Sequence, residues 1–504
     1  MPDSGGYRPS GARMLTAFPS GSRAGMGDCG RYRPAPACFP RDHPAPDMPD
    51  CGRHRPADRS APASCYHAHW NHWIFGGLMG NELNRRDFMK AAAIAAGPAV
   101  ISARGANEKI NVGWIGVGIR GDAAIRWLHE AAPDDVQLTA ICDTCQPYVD
   151  RAIANVRKTW GNTPATYKDY HDLLADKSID AVFIMTPEHL HHSMAIASLE
   201  AGKHVYLEKP LAHTIEEGWD IVRAWEKSGK VCQVGTQNRS SALYRKAKEW
   251  IAQGLIGEVH YARAFWYRNS APNNPAWRYA IPPDATEQNT DWNRFLGPAP
   301  KRPWDMRRYF QWRLYWDYSG GISTDLLVHQ TDAIDYMLNL TTPASVVASG
   351  GIYRWTDKDD DRDTPDTLSA VFEYPGRFQI DYSSYFGNVF GQAEYYGEHI
   401  MGTEGTIEVM NRHDLYFRPE AYFGVPGSVK SRPAIHLNGT ADFKEVDGVQ
   451  SHLKNFLASI KGTEKPIAPP PAGQEAAIGG HMATMAYKNR KMVLWDTAGR
   501  KAHF

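Results

Sequence analysis

The sequence predicts an α/β protein, with a doubly wound parallel sheet first and a sheet-rich second domain after it. Three observations predict this. From about residue 109, apolar strand-like runs alternate with helical runs at the spacing of βαβ units. A Gly-x-Gly-x-x-Gly turn, Gly116 to Gly121, directly follows the first of those runs. Downstream, paired β-rich segments take over around Pro375-Gly376 and around Gly402 to Gly405.

The 504 residues allow two or three domains and a sizeable core. A net charge of zero argues against nucleic acid as the main partner, because phosphate binding needs a basic surplus. No run of about 18 apolar residues is present to cross a membrane as a helix. Seven cysteines in a chain of this length do not make a disulfide scaffold.

Residues 1–78 hold 11 of the 34 prolines and Cys29, Cys38, Cys51 and Cys65, with little apolar periodicity. Such a stretch buries too little apolar area to offset its chain entropy, so a disordered extension is expected. The Cys and His spacings fit no zinc pattern, and no metal site is expected. Met79 reads as a natural alternative start. After it come Arg85-Arg86, Phe88 and Lys90, a weakly apolar stretch from Ala91 to Ile101, and small residues at Ala103 and Ala106. That order of charged, apolar and small-residue regions over 79–106 resembles a Tat export signal. It implies passage through the Tat translocase in the folded state and a periplasmic or secreted location.

The folded body opens with the strand Lys109 to Ile115 and the glycine turn. Gly116, Gly118 and Gly121 let the chain turn tightly and let a pyrophosphate approach the backbone. Ile119 and Arg120 lie within the turn, and the helical run that follows, Asp122 to Ala132, offers N–H groups and a dipole to that anion. Val136 to Cys142 is the second strand. Asp143 ends it, 22 residues past Gly121, where an acid binds ribose hydroxyls and repels a 2′-phosphate. This favours NAD over NADP, while a plain turn acid is the alternative. Cys142 and Cys145 read as structural. Strands at 179–185, 203–207 and 231–234 alternate with helices at 170–175, 189–202 and 214–228. Their carboxyl ends bring Thr186, Pro187, His189 and His191, then Glu208, Lys209 and Pro210, to the edge that holds the glycine turn.

The segments TPEHLHH, HVYLEKPLA and GGISTDLLVHQTDAIDYM resemble the Gfo/Idh/MocA family of nicotinamide-dependent sugar and polyol oxidoreductases. The resemblance runs from about Asn111 to the C-terminus. It implies a Rossmann domain (107–234), an α/β domain with a large, open, mostly antiparallel sheet (235–465), and a C-terminal segment (466–504) that packs back on the first domain. It also implies a homodimer or homotetramer and a cis bond at Pro210.

The chemistry follows from residue types. Lys209, at a strand end, can hydrogen-bond the reacting oxygen, and burial can tune it for proton transfer. Asp325 and His329, four apart on a helical run, stack on one face. The imidazole can take a hydroxyl proton, and the carboxylate can bind a hydroxyl or orient the chemistry. The resemblance casts this Asp/His pair as the catalytic motif. Trp266, Trp277, Trp292, Trp304, Trp312 and Trp316 form an aromatic stretch with Arg307, Arg308 and Arg313. Its flat faces suit sugar rings, and a core insert or an oligomer arm is the alternative. Tyr267 and Arg268 after one strand, and Gln237 and Arg239 after another, complete the expected cofactor and substrate contacts.

These expectations describe an exported oxidoreductase acting on a sugar, polyol or glycoside hydroxyl. Because free NAD is scarce outside the cytoplasm, the cofactor is expected to be tightly held and recycled in place. Two alternatives stand beside it. One is an NAD-dependent glycosidase that oxidises, eliminates, hydrates and reduces; the other is an inactive carbohydrate-binding protein.

Overall fold

The computed structural model describes residues 109–356, 360–389, 395–422, 432–445 and 447–504. The expected disordered extension (1–78) and twin-arginine segment (79–106) lie outside the described residues. No helix among the described residues is long and apolar enough to cross a membrane.

The first domain is built from β1 (Ile110–Ile115), α1 (Ile119–Ala131), β2 (Val136–Cys142), α2 (Gln146–Trp160), β3 (Ala165–Tyr167), α3 (Tyr170–Ala175), β4 (Ala181–Ile184), α4 (His191–Glu200), β5 (His204–Leu207), α5 (Ile215–Ser228) and β6 (Cys232–Val234). The six strands pair in the order β3-β2-β1-β4-β5-β6, every pair parallel. Helices cover both faces, so the central strands are buried almost throughout and read as continuous apolar runs. One face is an aromatic stack, with Trp114 on Phe183 at 4.4 Å and Phe183 on Tyr206 at 5.0 Å. The strand order reverses between β2-β1 and β4, which opens a crevice at the strands' carboxyl ends.

After α6 (Ala242–Ala252), β7 (Val259–Asn269) enters the second sheet. Short helices α7 (Trp292–Leu296) and α8 (Met306–Phe310) follow in an irregular insert, then a wide π turn at Ser323–Leu327 and α9 (Val328–Leu338). The remaining strands are β8 (Ser345–Gly351), β9 (Thr367–Tyr374), β10 (Phe378–Tyr385), β11 (Gly387–Asn388), β12 (Tyr396–Gly402), β13 (Gly405–Met410), β14 (Asp414–Pro419) and β15 (Ile435–Asn438). Then come α10 (Gly439–Phe443), α11 (Val449–Ile460), α12 (Pro470–Asn489), β16 (Val493–Asp496) and β17 (Lys501–His503). The sheet order is β15-β14-β13-β12-β7-β10-β9-β8-β16-β17, with β11 beside β7. Among the described residues of this sheet, only β7 and β10 pair in parallel. β10 alternates buried and half-buried positions, as expected of a sheet with one face on the core.

The C-terminal region differs from expectation in two ways. Helix α11, assigned above to the second domain, packs on α1, because Leu453, Phe456 and Leu457 complete the first domain's apolar core. Pro470 and Pro471 sit in the first turn of α12, where no N–H is needed. Helix α12 packs on α5 of the first domain, and equally on α9 and β8 of the second. The last two strands extend the second sheet.

Candidate active site

A cavity of about 720 Å³ lies in the crevice between the two domains. Its first half is formed by the glycine turn. Gly116 has φ +90°, and a Cβ there would meet the Met185 carbonyl at 2.9 Å. A Cβ on Gly121 would lie 2.1 Å from the Gly116 oxygen, so α1 can approach β1 only with glycine at that position. No side chain caps the first turn of α1, which leaves its N–H groups for an anion. Asp143 lines the cavity and accepts from the N–H groups of Val117 (2.7 Å) and Cys145 (2.8 Å). Burial raises its carboxyl against the pull of those N–H groups. Arg120 reaches across to Glu208 at 2.8 Å and lies over the Trp127 ring. This uncapped, glycine-built cradle with an acid beside it fits a dinucleotide: Gly116, Gly118, Ile119 and Asp143 would hold it, with Thr186, Pro187 and Gln237 further along the wall.

The second half holds the reactive groups. Lys209 Nζ donates to Asp325 Oδ1 (2.9 Å) and to the Asp325 carbonyl (2.7 Å). The Lys209–Pro210 peptide is cis. Arg313 Nε donates to the same carboxylate oxygen at 2.9 Å. Burial alone would raise the Asp325 carboxyl, but the charges of Arg313 and Lys209 outweigh it and hold it well below the usual carboxylate range. His329 is 7% exposed, and its Nδ1 is buried without a partner. Burial, then the charges of Lys209 and Arg412, hold its pKa well below the ordinary histidine value, so it is a neutral imidazole. Glu188 anchors the turn that presents this pair, accepting from the Gly320 N–H and the Thr324 hydroxyl.

Most expected site residues line this cavity: Gly116, Gly118, Ile119, Arg120, Asp143, Thr186, Pro187, Glu208, Lys209, Gln237, Arg268, Trp312, Asp325 and His329. Five do not, and each has a structural partner that claims it. Gly121 serves close packing, as above. His189 is buried with Nε2 2.8 Å from the Phe295 carbonyl. His191 sits between the carbonyls of Pro210 (2.8 Å) and Thr186 (3.0 Å), so it positions two wall segments. Arg239 forms a buried pair with Asp332 at 2.8 Å. The Tyr267 hydroxyl lies 2.6 Å from Ser383 Oγ in the sheet. Cys142 and Cys145 are buried, unbridged thiols, in keeping with a structural role.

Of the other groups in the cavity wall, Trp266 and Arg313 belong to the expected aromatic stretch, whereas Tyr279 and Arg412 were not expected. Trp266, Tyr279, Arg313 and Arg412 line the end around His329. At the other end the insert closes over Asp143 and Thr144. The Asp291 N–H donates to the Thr144 carbonyl at 2.7 Å, and the Tyr309 hydroxyl meets the Thr144 hydroxyl. Arg294 pairs with Asp169 at 3.3 Å. The aromatic stretch is therefore partly a core insert and partly a strap over the first half of the cavity.

Residues 110–236 match the oxidoreductase family's NAD-binding Rossmann fold, and residues 248–493 match its C-terminal alpha/beta domain. The chain belongs to the GFO/IDH/MocA oxidoreductase family. Its first domain is an NAD-binding Rossmann domain. Among curated relatives, it is 30% identical over 242 residues to an alpha-N-acetylgalactosaminidase of Shewanella oneidensis, covering 47% of this chain and 48% of that protein. The chain thus spans about half the length of the curated relatives it matches. Among solved structures, levoglucosan dehydrogenase in complex with NADH and levoglucosan shares the fold, with a TM-score of 0.60 and 20% identity over 77% of this chain and 99% of that one. The aldose-aldose oxidoreductase of Caulobacter crescentus, complexed with glycerol, shares it with a TM-score of 0.56 and 16% identity over 77% of this chain and 100% of that one.

Proposed function

We propose that this protein oxidises and reduces a hydroxyl of a sugar, polyol or glycoside, using an NAD that stays in the cavity between turnovers. The observation behind it is a lysine donor, a buried histidine with an unpartnered nitrogen and a carboxylate around one cavity that also holds the glycine cradle. Bound NAD supplies a hydride acceptor and donor. The chain's own task is the proton. His329 takes it from the substrate hydroxyl, and Lys209 donates a hydrogen bond to the same oxygen as negative charge builds there. Asp325 holds Lys209 in place, and Arg313 holds Asp325. The strap at Thr144 supports a retained cofactor. Retention suits export in the folded state, which the Arg85-Arg86 segment argues for. A retained cofactor must be restored in place, either by a second sugar or by reduction of the oxidised product.

A second reading is favoured by the relative named alpha-N-acetylgalactosaminidase: oxidation followed by elimination of a glycosidic group. Incubating the purified protein with free sugars and with aryl glycosides, without added cofactor, separates the two. Reduction of bound cofactor by free sugar is expected. Release of the aryl group as the sole activity would replace the proposal with the glycosidase reading.

A further inference from the structure

Arg412 is a cation of the cavity wall with buried N–H groups left unpaired. It stands on the turn between β13 and β14, where Asn411 and Arg412 both take positive φ, 52° and 62°. Side chains rarely adopt that conformation, so the fold holds this guanidinium in place against a local cost. Its Nε and Nη2 are buried and have no hydrogen-bond partner. Its other contacts are a side-chain hydrogen bond to Tyr396 and two rings: Cζ lies 4.5 Å from the Tyr396 centroid and 5.3 Å from that of Trp266. Arg268 reaches the same Trp266 ring at 5.1 Å, and that ring is 6.0 Å from His329. No carboxylate among the described residues forms an ion pair with Arg268 or Arg412.

Glu398, the acid whose charge acts on Arg412, forms no ion pair with it among the described residues. Glu398 accepts from the Tyr244 hydroxyl at 2.9 Å, and burial pushes its carboxyl up to about 8. Lys209 and Arg313 share the single carboxylate of Asp325. This end of the cavity thus presents Lys209, Arg268, Arg313 and Arg412 against one anion among the described residues. Buried guanidinium N–H groups left without acceptors are costly, and a planar carboxylate matches their fork.

The geometry points to a substrate bearing a carboxylate: a uronic or aldonic sugar acid, or a glycoside of one, seated with its carboxylate on Arg412 and Arg268 and its reacting hydroxyl at His329 and Lys209. The carboxylate seat stands on the arginines alone; only the role of the hydroxyl end rests on the proposed hydride transfer. A neutral hydroxyl offers one weak acceptor at a time and leaves the charge surplus unanswered.

The test uses the holoenzyme and matched pairs: D-glucose against D-glucuronate, D-galactose against D-galacturonate, and the corresponding sugar phosphates. Calorimetry reads binding, and the absorbance of the bound cofactor reads turnover. The acids are expected to bind about tenfold or more tightly than their neutral partners. Arg412→Met should bring that ratio close to one, and Arg412→Lys should keep part of it. If Arg412→Met does not fold, the wild-type ratio alone decides. Neutral sugars binding as tightly as the acids would overturn the proposal, and so would sugar phosphates binding more tightly than uronates. Tight uronate binding without cofactor reduction would uphold the carboxylate seat and remove the hydride reading. Cofactor reduction by neutral sugars with no preference for acids would do the reverse.

Discussion

Asp325→Asn isolates the charge that organises the reactive half of the cavity. The carboxylate accepts from Lys209 Nζ and Arg313 Nε, each at 2.9 Å, and the three side chains are 11%, 20% and 12% exposed for Lys209, Arg313 and Asp325. An asparagine preserves shape and one acceptor oxygen, so the change removes charge and little else. It leaves an ammonium and a guanidinium facing each other with their shared counter-ion gone. Removing one partner from a buried charge cluster costs about 3–5 kcal/mol, and exposure here is low enough that screening takes only part of it. The Tm of the holoenzyme, measured by calorimetry, should therefore fall by several degrees. Lys209→Met in the same background should recover part of that loss, because it removes one of the two facing cations. In enzyme that stays folded, kcat should fall by about 10²–10³, the range seen when a developing charge loses a placed donor. A variant within about 0.5 kcal/mol of wild type, or strictly additive effects of Asp325→Asn and Lys209→Met, would refute the reasoning.

Gly121→Ala places a methyl 2.1 Å from the Gly116 oxygen, so the turn must open. The purified variant should carry little or no NAD, read by absorbance after denaturation, and a full complement would count against the cradle. Stability should depend on pH in a defined direction. His189 and His481 are pushed by burial from 6.5 to about 3, and His204 and His452 to about 4. The unfolded chain binds those protons near 6.5 and the fold refuses them, so acidification destabilises it. Burial acts oppositely on Glu188, Glu398 and Asp332, raised to about 7, about 8 and about 6, because there the fold holds protons the unfolded chain releases above its ordinary 3.8–4.5. Below about 4.5 that opposition ends, so Tm should drop more steeply between about pH 4.5 and 3.5 than between about 6.5 and 5.5. The reverse ordering would contradict the burial of these histidines.

The first domain was legible because its signals are local. A parallel strand covered on both faces must be apolar along its length, and a glycine turn must follow β1 if α1 is to pack against it. Lys209, Asp325 and His329 were readable because each sits at a strand or helix terminus within a short motif. His189 and His191 fall outside the cavity lining for one cause. Polar groups at a strand's carboxyl edge look like ligands, yet the carbonyls of Phe295, Pro210 and Thr186 lie within reach and claim them. The carbonyls of Phe295 and Pro210 come from other segments, which sequence spacing does not reveal. Arg412 gave no signal at all. It lies on a three-residue turn whose place in the cavity depends on β13 and β12 pairing outward from β7. The misplacement of α11 is of the same kind: its apolar stripe was visible, but the domain it would complete was not.

The most direct test of hydride transfer in this cavity is the mass of the bound cofactor after one turnover with a carbon-deuterated sugar. Wild-type holoenzyme should yield a nicotinamide one deuterium heavier, and His329→Ala should yield none while still holding NAD. Sugar converted by the wild type with the cofactor mass unchanged would contradict the account.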